Sequence, residues 1–107
     1  MEIGEILPAQ LSERLGRGER PVILDVRESE EIAIAPFPAA IHIPMSEIPS
    51  RAAELDPEAE TIVVCHHGIR SAQVVMYLAR LGFERVCNLT GGIDLWSTTV
   101  DPAVPRY

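Results

Sequence analysis

No lysine occurs in this 107-residue chain, so all nine Lys/Arg cations are arginine. That excludes lysine Schiff-base chemistry and a phosphate loop ending in lysine. Only two cysteines are present, Cys65 and Cys87. They are too few for a disulfide scaffold and form no Cys-x-x-Cys pair, so both are expected as free thiols and a thioredoxin-like redox motif is absent. The apolar runs last only a few residues, far short of a membrane span. The start, Met1-Glu2-Ile3-Gly4-Glu5, is acidic where a secretory signal would be basic, which points to the cytoplasm. There is no internal repeat, low-complexity segment or linker.

Sixteen acidic residues against nine basic ones give a net charge of −7. This argues against nucleic acid or an anionic membrane as partner, and an anionic substrate would need a local positive pocket. A composition of 47% hydrophobic and 23% charged residues is that of an ordinary globular protein. The length fits one domain over residues 1–107, with a core large enough to need no staples.

Short apolar runs alternate with helical stretches, the pattern of a parallel sheet with crossover helices. Pro8 suits a first helical position, Leu11 and Leu15 lie one turn apart, and Gly16 and Gly18 end that helix. Val22 to Val26 reads as a buried strand. Glu28, Glu30 and Glu31 open a short acidic helix as a solvated face, closed by Pro36 and Pro38. Ala40 to Ile43 is a further strand stopped by Pro44, after which Ser46 is placed to cap a helix with Pro49 in its first turn. Ile48, Ala52 and Leu55 mark the buried side of that helix, and Asp56-Pro57 closes it. Thr61 to Val64 is the central strand. A mostly covered helix follows, with Gln73, Tyr77 and Arg80 on one face, and Gly82 and Phe83 form its C-terminal cap. Arg85 to Leu89 is the last strand. Thr90-Gly91-Gly92 turns into a short helix carrying Ile93, Leu95 and Trp96, and the remainder is an irregular tail.

The segment Cys65-His66-His67-Gly68-Ile69-Arg70-Ser71 stands between the central strand and the covered helix. The first amides of a helix lack internal partners and attract negative charge, so this thiol sits where anions bind. The helix terminus and Arg70 both favour a thiolate, and Gly68 lets the backbone curl its N–H groups inward. Ligands bind outside the carboxyl ends of parallel strands. Asp25-Val26-Arg27, His42-Ile43-Pro44, Cys65 to Arg70 and Thr90-Gly91-Gly92 all fall at such ends and can converge on one crevice.

Blander roles suit several neighbours. Cys87 and Trp96 read as core residues, His42 as a hydrogen-bonded structural histidine, and Asp25 either as a turn cap or as a carboxylate supporting the loop. His66 and His67 tend to point apart, and with Cys65 and the distant Cys87 they match no usual zinc spacing, so no metal is expected.

With these residues assembled, the chain resembles a single-domain rhodanese over almost its whole length. The landmarks are Asp25-Val26-Arg27, Pro38-Ala39-Ala40-Ile41-His42-Ile43-Pro44, the loop Cys65 to Ser71, Gly91-Gly92-Ile93-Asp94-Leu95-Trp96 and the ending Asp101 to Tyr107. The chain departs from the usual pattern at Pro36, Phe37 and Ala39, outside the loop. The resemblance implies an α/β three-layer fold, a central parallel sheet with helices on both faces. It implies Cys65 as the sulfur-accepting nucleophile, without cofactor, and a substrate cradle of His66, His67, Gly68, Ile69, Arg70 and Ser71. Arg70 matches the arginine that faces an anionic substrate, and Asp25 and Arg27 match a pair that supports the loop. The reaction implied is sulfane sulfur transfer from thiosulfate or a similar small anionic donor to cyanide, a thiol or a protein, through a Cys65 persulfide. The ending resembles domains fused to adenylyltransferases, which suggests a sulfur-carrier protein or a cysteine desulfurase as partner. Two other readings are a catalytically idle rhodanese-like binding module and a cysteine-dependent phosphatase or arsenate reductase. The common phosphatase cradle is one residue longer, and idle domains usually lack the cysteine.

Overall fold

A computed structural model describes residues 3–107; Met1 and Glu2, which begin the acidic N-terminal stretch, lie outside the described residues. The elements are β1 (Gly4–Ile6), α1 (Pro8–Gly16), β2 (Val22–Asp25), α2 (Ser29–Ile34), β3 (Ile41–His42), α3 (Ile48–Arg51), β4 (Thr61–Val64), α4 (Ile69–Arg80), β5 (Val86–Leu89) and α5 (Gly92–Thr99). All five strands pair in parallel, in the order β1-β5-β4-β2-β3. Parallel pairing needs crossover connections, and those helices cover both faces of the sheet.

Strand alternation decides which side chain meets which face. Ile62 and Val64 of β4 join Ile23, Leu11, Ile93 and Trp96 in a core under α1 and α5. Val63 and Cys65 join Leu24, Ile48, Val74, Val75 and Leu78 in a second core under α3 and α4. The architecture is the expected three-layer α/β fold. All four residues of β4 are buried, as a central parallel strand requires.

Two local expectations need correction, and one strand was not expected. β1 escapes the hydrophobic pattern because only Ile6 of its three residues is buried. Ser46 caps nothing: it lies inside a 3-10 turn, Met45–Glu47, and α3 follows without a side-chain cap. Glu31 does not belong to a solvated face, because its side chain is drawn into an ion pair and keeps only 19% exposure. Other signals hold: Pro8 opens α1 and Phe83 packs back beneath α4 with its N–H on the Leu78 carbonyl.

The topology positions the site. From β2 the chain moves outward to β3, and from β4 it moves the other way to β5. The loops leaving β2 and β4 therefore diverge and leave a crevice at the carboxyl ends of these neighbouring strands. One wall is 26–31 and the other is 65–71.

Candidate active site

β4 ends at Val64 and delivers Cys65 beneath the loop, with 1% of the residue exposed. Gly68 then adopts φ +94°, a left-handed conformation that turns the chain into α4. This turn aims two backbone donors at the thiol. The Gly68 N–H lies 3.1 Å and the Ser71 N–H 3.3 Å from Cys65 Sγ. Of the residues expected to form the cradle, Gly68 and Ser71 thus supply donors to the sulfur. The Ile69 side chain points outward, 72% exposed.

Ser71 Oγ also sits 3.2 Å from the sulfur. Its single proton goes to Asn88 Oδ1, so it turns an oxygen lone pair toward Cys65. Asn88 Nδ2 donates to the Gly68 carbonyl at 3.0 Å and to the Glu5 carboxylate at 3.3 Å. One buried amide on β5 thereby fixes both ends of the cradle turn. Sequence reasoning passed over Asn88, although a polar residue in the last positions of an apolar strand is the signal that marks it.

The far side of the loop is sewn to α5. Ile93 N–H donates to the Cys65 carbonyl at 2.9 Å and Asp94 N–H to the His66 carbonyl at 3.0 Å. This close approach demands glycine at 92, where a Cβ would fall 2.4 Å from the Cys65 carbonyl oxygen.

Asp25 and Arg27 form a buried pair, with Arg27 Nη2 2.7 Å from Asp25 Oδ2. Asp25 Oδ1 also accepts the Arg27 N–H at 3.1 Å, so the carboxylate serves the turn as well as the guanidinium. Arg27 donates further to the Ala35 carbonyl at 2.8 Å and the Tyr107 hydroxyl at 2.9 Å. The pair braces the segment carrying α2 rather than touching the cysteine loop itself. His42 Nε2 meets the Arg27 carbonyl at 2.6 Å, the structural role expected of it.

Arg70 occupies the mouth of the crevice, where its two terminal nitrogens each lie 2.8 Å from a Glu31 oxygen. Glu31 also accepts the Glu28 N–H at 2.9 Å and the Tyr107 hydroxyl at 3.1 Å. The Arg70 fork is the main cause that lowers the Glu31 carboxyl to about 2. Tyr107 lies 3.9 Å from the His66 ring in a parallel stack, and His66 stacks on His67 at the same separation, so the two histidines do not point apart as expected. Burial, reinforced by His67, lowers the His66 pKa.

His66, His67 and Asp94 are the described residues whose grouping could hold a cation, with one ligand atom each within 4.8 Å of the others. Asp94 already receives two bonds from Arg106, at 2.9 and 3.2 Å. Cys87 is remote from this chemistry. It is half-buried in β5, and burial pushes its thiol up to about 11.

The arrangement is a buried thiol met by two backbone donors, beside a carboxylate-bound arginine, at the carboxyl edge of a parallel sheet. Comparison with known proteins identifies the family. The rhodanese-like domain family matches residues 7–99. YtwF of Bacillus subtilis is 40% identical over 102 residues, covering 95% of this chain and 98% of that protein. A sulfurtransferase of Allochromatium vinosum is 38% identical, covering 89% of each chain. The crystal structure of a rhodanese-like domain protein from Staphylococcus aureus superposes with a TM-score of 0.85 at 31% identity, covering 98% of this chain and 99% of that one. A family match over most of the chain, together with a shared fold and a relative named as a sulfurtransferase, shows that this chain belongs to the rhodanese-like domain family.

Proposed function

We propose that the protein transfers sulfane sulfur by double displacement at Cys65. In the first half-reaction the Cys65 thiolate attacks the outer sulfur of a donor such as thiosulfate. The donor's S–S bond breaks, sulfite leaves with the electron pair, and the transferred sulfur remains on Cys65 as a persulfide anion. In the second, a thiol, cyanide or a protein acceptor attacks that terminal sulfur and the Cys65 thiolate is regenerated, so the kinetics are ping-pong.

The observation that carries this reading is the pair of N–H donors from Gly68 and Ser71 converging on Cys65 Sγ. Donors fixed in place before the reaction stabilise negative charge on sulfur without reorganisation. The deep seat of Cys65 suits the transfer of one atom better than the entry of a bulky group. Asp25 and Arg27 support the crevice wall from β2, and His66, His67 and Ile69 line its entrance.

Intact-protein mass spectrometry after exposure to a sulfane-sulfur donor tests the proposal. One added sulfur is expected on the wild type and none on Cys65→Ser. Unchanged transfer by the serine variant rules the mechanism out. A wild type that never acquires sulfur favours the idle binding module, and hydrolysis of an aryl phosphate at a comparable rate favours the phosphatase.

A further inference from the structure

Charge matching around the cradle bears on which donor it accepts. Three guanidinium groups surround the crevice, and each carries its own carboxylate: Arg27 with Asp25, Arg70 with Glu31 and Arg106 with Asp94. Each of these guanidinium groups is thus matched by a carboxylate, and the chain as a whole carries −7.

The Arg70–Glu31 pair is the decisive one, because Arg70 is the cation on the cysteine loop itself. Its planar fork is matched bidentately. Glu31 is held from two further directions, by the Glu28 amide and the Tyr107 hydroxyl. A dianion that needs Arg70 must compete with a carboxylate already in the best geometry for it. A donor of lower charge faces no such competition.

We infer that Glu31 is a specificity-determining residue whose hold on Arg70 turns the cradle from the thiosulfate dianion toward an organic persulfide, R–S–SH. The inference rests on the sulfurtransferase reading and adds a substrate class to it. With this donor the Cys65 thiolate attacks the outer sulfur and the S–S bond breaks. R–S⁻ departs with the electron pair while Cys65 keeps the –S–SH group, so one negative charge stands on each side of the reaction. The leaving thiolate carries one charge where sulfite carries two, and Arg70 need not be released.

The test is single-turnover loading of Cys65, followed by intact mass, with thiosulfate and 2-hydroxyethyl persulfide as donors in parallel. The wild type should load from the persulfide about ten-fold or more faster than from thiosulfate at equal concentration. In Glu31→Gln the thiosulfate-to-persulfide ratio of loading constants should rise about ten-fold, mainly through tighter thiosulfate binding. Glu31→Gln combined with Arg70→Gln should return that ratio to the wild-type value, since the effect runs through Arg70. A wild type that loads from thiosulfate as fast as from the persulfide overturns the inference even if the variants fail to fold. An unchanged ratio in folded Glu31→Gln overturns it as well. If neither donor loads Cys65, the sulfurtransferase reading falls first and takes the inference with it.

Discussion

Arg27 and Asp25 keep 0% and 2% of their side chains exposed, whereas Arg70 and Glu31, on the same crevice, keep 34% and 19%. The buried guanidinium places all five of its N–H donors: on Asp25, on the Ala35 and Glu31 carbonyls and on Tyr107. Both side chains are closed to solvent, so the pair is a fixed strut between β2 and α2. Solvent reaches the pair at the mouth, so its partners can be exchanged for a ligand. The same two functional groups thus serve as scaffold in one place and as a selectable contact in the other, and burial makes the difference.

The comparison breaks most visibly if the strut is cut. Arg27→Met leaves the Asp25 carboxylate buried and unpaired, and should cost about 3–5 kcal/mol in urea unfolding. Replacing Asp25 with leucine in the same variant should recover a large part of that loss, because the uncompensated charge is gone. Glu31→Gln should cost at most about 1 kcal/mol at neutral pH. Its signature lies in the pH dependence. The Glu31 carboxyl is lowered from 4.5 to about 2 in the folded protein. Its contribution is therefore complete above the unfolded value and fades as pH falls toward 2. The stability gap between wild type and Glu31→Gln should close over that acid window, as read by denaturant titration at a series of pH values. A gap that persists at pH 2 would place the contribution elsewhere. Glu13→Gln removes an open i,i+4 partner of Arg17 and should change stability by less than about 0.5 kcal/mol, which sets the baseline for an exposed pair.

Much of this was legible in the sequence. The strands β2, β4 and β5 and the helices α1 and α4 announce themselves through apolar runs and their proline and glycine boundaries. The cysteine loop is contiguous, so its cysteine, its glycine and its arginine can be read together. β1 was not readable, because it is three residues long and shows one buried side chain. The partners that tune the site were not readable either, since they arrive from other elements. Glu31 lies 39 residues before the arginine it binds, and Asn88 lies 17 residues after the serine it holds. Within its own helix Glu31 resembles Glu28 and Glu30, and nothing local separates them. Only the direction in which α2 leaves β2 turns one of three similar glutamates toward Arg70.

The fastening of the loop to α5 has an evolutionary consequence. The bonds from Ile93 and Asp94 to the carbonyls of Cys65 and His66 run through main chain alone, as do the donors that reach the sulfur. The side chains of His67 and Ile69 are exposed and make none of these main-chain bonds. Mutational drift at these two positions can remodel the approach to the nucleophile while leaving its chemistry untouched. A saturation library at 67 and 69 should therefore be rich in folded proteins with altered preferences, an economical starting point for diversifying or redesigning the scaffold.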